Sequence, residues 1–215
     1  MFQELLTRYP VLENCAGEIE KAKDLLIACY KSGGKVLLCG NGGSAADCDH
    51  IAGELMKGFL SKRPLSTDQK AEMGQRCPDL SKEMLNKLQL GLSAISLTGM
   101  TALNAAVCND VDPELIYAQS VLALGKPGDV LIGLSTSGNA ENVCAAAKVA
   151  IGIGLTVISL TGQFGGKLKP LSDIAICVPE TETYKIQELH LPVYHYICAA
   201  VEQHFFGRNK NGTVI

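Results

Sequence analysis

His50 and Glu54 stand four residues apart and share one face of any helix that contains them, a turn from each other. An imidazole and a carboxylate so placed can share a metal ion or a proton. The plainer reading of such a pair is a surface hydrogen bond. Six residues upstream ends the turn Gly40-Asn41-Gly42-Gly43-Ser44, whose glycines permit tight backbone geometry and whose serine stands where a helix begins. A second polar turn, Ser135-Thr136-Ser137-Gly138-Asn139, sets three hydroxyls before a glycine, and Thr161-Gly162 with Gly165-Gly166 makes a third. Hydroxyls beside free backbone N–H groups at a helix N-terminus favour an anion, because orphan donors and the helix dipole act together. A phosphate is the natural occupant, although such hydroxyls also serve as ordinary caps. Neither a P-loop ending in Gly-Lys-Ser/Thr nor a Gly-x-Gly-x-x-Gly dinucleotide turn is present, which disfavours nucleotide cofactors. Farther along, Gln187, Glu188, His190 and His195 crowd one helical stretch that also holds Pro192. Spacing does not choose among them: Glu188 and His195, seven apart, share a face most closely, and Gln187 and His195, eight apart, lie within a quadrant.

These turns need strands to present them. Five apolar runs have strand length and no polar alternation: 35–39, 93–97, 129–134, 156–160 and 174–178. Helix-compatible sequence separates them, as expected of parallel strands covered on both faces. The expected fold is α/β, a single doubly wound sheet of about five parallel strands with helices on both faces and ligands beyond the strands' carboxyl ends. Ahead of the first run, Leu12, Cys15, Ile19, Ala22, Leu26 and Cys29 recur at three and four, the stripe of a long N-terminal helix that Pro10 opens and Gly33-Gly34 closes. That stripe packs either on its own sheet or on another subunit. Residues 60–91 break the rhythm with a Ser66-to-Gln69 capping box and an amphipathic stretch at Leu80, Met84, Leu85 and Leu88. They read as a helical insertion, a lid or surface padding, within one domain over 1–207, and 208–215 reads as a frayed tail.

A chain of 215 residues suits one α/β domain with a real core. A net charge of −3 carries no polybasic footprint for nucleic acid or an anionic membrane. The charged start and the lack of a long apolar run point to a cytoplasmic protein. Nine cysteines without a Cys-x-x-Cys pair read as buried thiols in a reducing compartment, not as a disulfide framework or a thiolate metal site.

Taken in order, Gly40-Asn41-Gly42-Gly43-Ser44, His50 with Glu54, Ser135-Thr136-Ser137-Gly138-Asn139, Thr161-Gly162, and Ile186-Gln187-Glu188 with His195 resemble the phosphoheptose isomerases, a branch of the sugar isomerase (SIS) family. The resemblance spans nearly the whole chain outside about 60–91. It implies the SIS fold, a homotetramer, and interconversion of sedoheptulose 7-phosphate and a heptose 7-phosphate. It implies zinc held by His50, Glu54, Gln187 and His195, with Glu54 and His195 also moving protons. Ser44, Ser135, Thr136 and Ser137 match phosphate binders and Asn41 a substrate contact. Gly42, Gly43, Asn139, Glu54 and Gln187 complete the candidate substrate-binding set. Two positions depart from the pattern: Met100 replaces an acidic residue that contacts sugar, and Ala140 stands where a phosphate-binding serine is common. Both point toward another ketose phosphate as substrate. The alternative is a non-catalytic SIS protein that binds a sugar phosphate or a protein partner.

Overall fold

The structure, a computed structural model, describes residues 1–207, and the expected frayed tail at 208–215 lies outside the described residues. Five parallel strands form one sheet: β1 (Val36–Gly40), β2 (Ala94–Ser96), β3 (Val130–Leu134), β4 (Thr156–Thr161) and β5 (Ile174–Cys177), in the order β2-β1-β3-β4-β5. The helices are α1 (Phe2–Arg8), α2 (Ala16–Lys31), α3 (Gly43–Met56), α4 (Thr67–Arg76), α5 (Lys82–Lys87), α6 (Thr101–Asp110), α7 (Ile116–Leu124), α8 (Glu141–Gly152) and α9 (Thr183–Phe206). Successive strand residues point to opposite faces. In β1, Val36 and Leu38 therefore enter a core shared with α2, α3 and α9, and Leu37 and Cys39 enter a second core under α7 and α8. Two covered faces explain why the strands are apolar without alternation.

The N-terminal stripe is buried throughout, from Leu12 to Cys29, and packs on α9 and β5 of the same chain. Leu12, Ile19 and Leu26 each contribute about 1.5–3 kcal/mol by full burial. The stripe therefore belongs to the chain's own core, and the reading that another subunit covers it falls away. It also runs through a change of helix type. Pro10–Cys15 forms a 3-10 turn, α2 begins at Ala16, and the left-handed Gly33 (φ +80°) ends it.

Between β1 and β2 the chain makes an excursion closed at its neck. Pro64 and Gln89 form an antiparallel bridge, and Leu90 N–H donates to Arg63 O at 2.7 Å. Inside it, Ser66 and Gln69 make both halves of a capping box on α4. Helix α4 buries no residue and α5 buries only Leu85, so the excursion adds little core. All nine cysteines are free. Cys77 and Cys108 are exposed, unlike the buried thiols that composition suggests. Among the described residues no helix is long and apolar enough to cross a membrane.

Candidate active site

With β1 flanked by β2 and β3, the strand order reverses there, and the turns after β1 and β3 face each other across the crevice beyond the strand ends. After β1, Gly42 adopts φ +56° as N-cap of α3, and Ser44 follows as a buried first-turn residue. Gly43 is small for a reason: a Cβ there would sit 2.5 Å from Gln187 Nε2, so the amide brought in by α9 rests on this turn. Asn41 is held by a reciprocal amide pair with Asn142 at 2.9 and 3.0 Å. The Tyr117 hydroxyl lies 2.6 Å from Gly40 O and 3.2 Å from Asn41 Oδ1.

The turn after β3 differs from a simple helix cap. The chain passes through left-handed Gly138 (φ +68°) before α8 begins at Glu141, with Ala140 as an N-cap that offers no side-chain bond. Buried Ser135 accepts from Ala140 N–H at 3.4 Å, and Ser137 Oγ accepts from Asn139 N–H at 3.1 Å. Asn139 Oδ1 accepts from Lys167 N–H at 3.0 Å, joining this turn to the Gly165-Gly166 turn. Ser135, Thr136 and Ser137 thus lie one turn ahead of the helix N-terminus, and Asn139 braces two loops.

Helices α3 and α9 supply the titratable groups. His50 Nε2 stands 3.2 Å from Glu54 Oε1 and 3.4 Å from His195 Nε2. Lys57 Nζ holds the other Glu54 oxygen at 3.2 Å. The Tyr194 hydroxyl lies 3.1 Å from both Asp47 Oδ1 and His50 Nδ1. Burial lowers the His195 pKa below the usual imidazole value and the neighbouring His50 adds to this, while Glu54 pulls the other way. Helix α9 also sorts the residues that spacing left open. His195 meets His50, and Gln187 lies on the Gly43 turn. Glu188 is exposed. His190 is fully buried with Nε2 3.3 Å from Thr161 O, and burial lowers its pKa to about 4.

Three of the four nominated metal ligands therefore form one chain of contacts, Glu54–His50–His195, with Gln187 against the turn that starts α3. Among the described residues no three His, Cys, Asp or Glu side chains close into a preformed metal group. The donor chemistry nevertheless suits zinc, and two ligands at about 2.0–2.1 Å from a tetrahedral ion stand about 3.3 Å apart. The separations of 3.2 and 3.4 Å match that edge. Met100, at the position of the missing acid, is partly buried against the second core.

Sequence reasoning missed Asp47, Lys57, Tyr117, Asn142 and Tyr194. Asp47 and Lys57 stand three residues from His50 and Glu54, a spacing that could have nominated them. Tyr117 has no local signal, because it reaches Asn41 from 76 positions away.

The SIS domain pattern matches residues 2–82 and 84–162. A phosphoheptose isomerase of Helicobacter pylori (strain P12) is 39% identical over 198 residues, covering 92% of this chain and 90% of the relative. One from Burkholderia pseudomallei (strain 1710b) is 40% identical over 196 residues, covering 91% and 86%. The structure of phosphoheptose isomerase from Neisseria gonorrhoeae superposes with a TM-score of 0.73 at 32% identity, covering 94% of this chain and 95% of that one.

Proposed function

Because this chain belongs to the SIS-domain family and, within it, to the phosphoheptose isomerases, we propose that it is a metal-dependent aldose–ketose isomerase converting sedoheptulose 7-phosphate to a heptose 7-phosphate. The single observation that carries this reading is the meeting of His50, Glu54 and His195 between α3 and α9, with Gln187 of α9 resting on the turn after β1. Aldose–ketose isomerisation removes a proton from the carbon beside a carbonyl and returns it to the neighbouring carbon, with an enediolate in between. Glu54 is the base that carries this proton. His195, whose imidazole is biased toward the neutral form, moves the proton between the two oxygens. Ser44, Ser135, Thr136 and Ser137 hold the phosphate, a remote handle whose binding energy positions the reacting carbons. His50, Glu54, Gln187 and His195 would hold zinc, which supplies positive charge for the oxyanion that develops as the proton leaves. We take the enzyme to be a cytoplasmic homotetramer without nucleic-acid or membrane partners.

Met100 and Ala140 alter two contacts that the family directs at sugar and phosphate, so turnover is best measured on a series of ketose phosphates, with and without zinc. Glu54→Gln keeps size and some ligand capacity while removing the base. Its kcat should fall by about 100- to 10,000-fold with sugar-phosphate binding retained. A wild-type rate in that variant, or undiminished exchange of the substrate α-proton with solvent, refutes Glu54 as the base.

A further inference from the structure

The Tyr194 hydroxyl has one proton and two partners, Asp47 Oδ1 and His50 Nδ1, each at 3.1 Å. A carboxylate only accepts, so the phenol proton goes to Asp47. The second contact is then satisfied when His50 carries its proton on Nδ1 and donates it to the phenol oxygen. His50 Nε2 is left as a lone pair facing Glu54 Oε1 at 3.2 Å and His195 Nε2 at 3.4 Å. This is not the tautomer His50 would adopt beside Glu54 alone, because a neighbouring carboxylate favours a proton on Nε2. The pair Asp47–Tyr194 therefore opposes Glu54 for the same imidazole. Asp47 sits one turn before His50 on α3, and Tyr194 precedes His195 on α9. The tyrosine is buried, with its ring edge-on to His50 at 5.4 Å. Asp47 Oδ2 is buried without a partner, an arrangement that costs stability.

We propose that Tyr194 and Asp47 are positioning residues that fix His50 in the Nδ1–H tautomer and aim its bare Nε2 at the point where Glu54 and His195 converge. The proposal deepens the metal reading above, since a metal ligand must present a lone pair and outer partners orient it. A phenylalanine would fill the same space and leave Nδ1 without its acceptor.

The deciding measurement is the 15N NMR spectrum of the histidine side chains in metal-free protein, tractable because the chain has four histidines. Wild-type His50 should show Nδ1–H, and Tyr194→Phe should move it toward Nε2–H bonded to Glu54. Zinc affinity should fall by about 10- to 100-fold in Tyr194→Phe and fall in Asp47→Asn. The double variant should be no worse than Tyr194→Phe, because the two residues act in series. An Nε2–H tautomer in the wild type, an unchanged tautomer in Tyr194→Phe, or additive losses in the double variant would overturn the relay. A wild-type protein that takes up no zinc would overturn the metal reading instead, and the tautomer measurement would still judge the relay.

Discussion

His190 and His195 stand five residues apart on α9 and face different solvents. His195 is part-exposed in the cleft, while His190 lies in the core against Thr161 O. Burial takes the His190 pKa from 6.5 to about 4, so the folded protein binds fewer protons than the unfolded chain between those values. Stability from the neutral form is full above pH 6.5 and is lost as pH falls toward 4, a change on the order of 3 kcal/mol. His195 shifts the same way and adds to the slope. Urea unfolding at a series of pH values should show this fall in the wild type and a flatter curve in His190→Asn. Equal slopes would mean that His190 does not titrate as its burial requires.

Between elements, one buried ion pair ties the two helices that bear the site. Glu202, seven residues past His195, accepts from the N–H groups of Phe59, Leu60 and Ser61 at 2.8, 2.8 and 3.0 Å. It also accepts from Arg63 Nε at 2.8 Å. Arg63 in turn donates to Leu55 O at 2.6 Å and Glu54 O at 3.0 Å, and stacks over Phe206 at 4.6 Å. The end of α3 and the second half of α9 are thereby joined through the loop that carries Phe59 and Arg63. Removing one partner of a buried pair costs about 3–5 kcal/mol, because the other charge stays desolvated. Glu202→Gln should lose stability on that scale in chemical denaturation, whereas Glu72→Gln, which breaks the exposed Arg76–Glu72 pair, should be close to neutral. Similar losses in both would show that burial is not what makes the Arg63 pair matter.

At the scale of the whole molecule, the N-terminal stripe is spent inside the chain, so an assembly must use other surface. Met56 and Leu60 are 56% and 66% exposed, flanking Glu54 and the Phe59 ring that packs on His195. Large apolar side chains left open beside a half-exposed His50 support a site sealed by another copy. Light scattering at micromolar concentration should give the mass of four chains, and the mass of one chain would rule the tetramer out.

The local signals in this sequence were read directly: strand-length apolar runs, the helical stripe, the Ser66–Gln69 capping box and the glycine and hydroxyl turns. Each depends on neighbours within a turn or two; the five strands formed within a residue or so of their apolar runs, whereas the helix that Pro10 opens became α-helical only at Ala16. Membership in a family was legible because the polar turns follow one another in a particular order. The pairings that make the site were not local. His50 meets His195 across 145 positions and Tyr194 meets Asp47 across 147. Spacing on α9 did not choose among Gln187, Glu188, His190 and His195, and set Glu188 closer than Gln187 to the face of His195. The packing of α9 against the sheet and α3 decided which of them enters the core, which meets the solvent and which reaches the cleft, because a helix acquires an inside only from what it packs against.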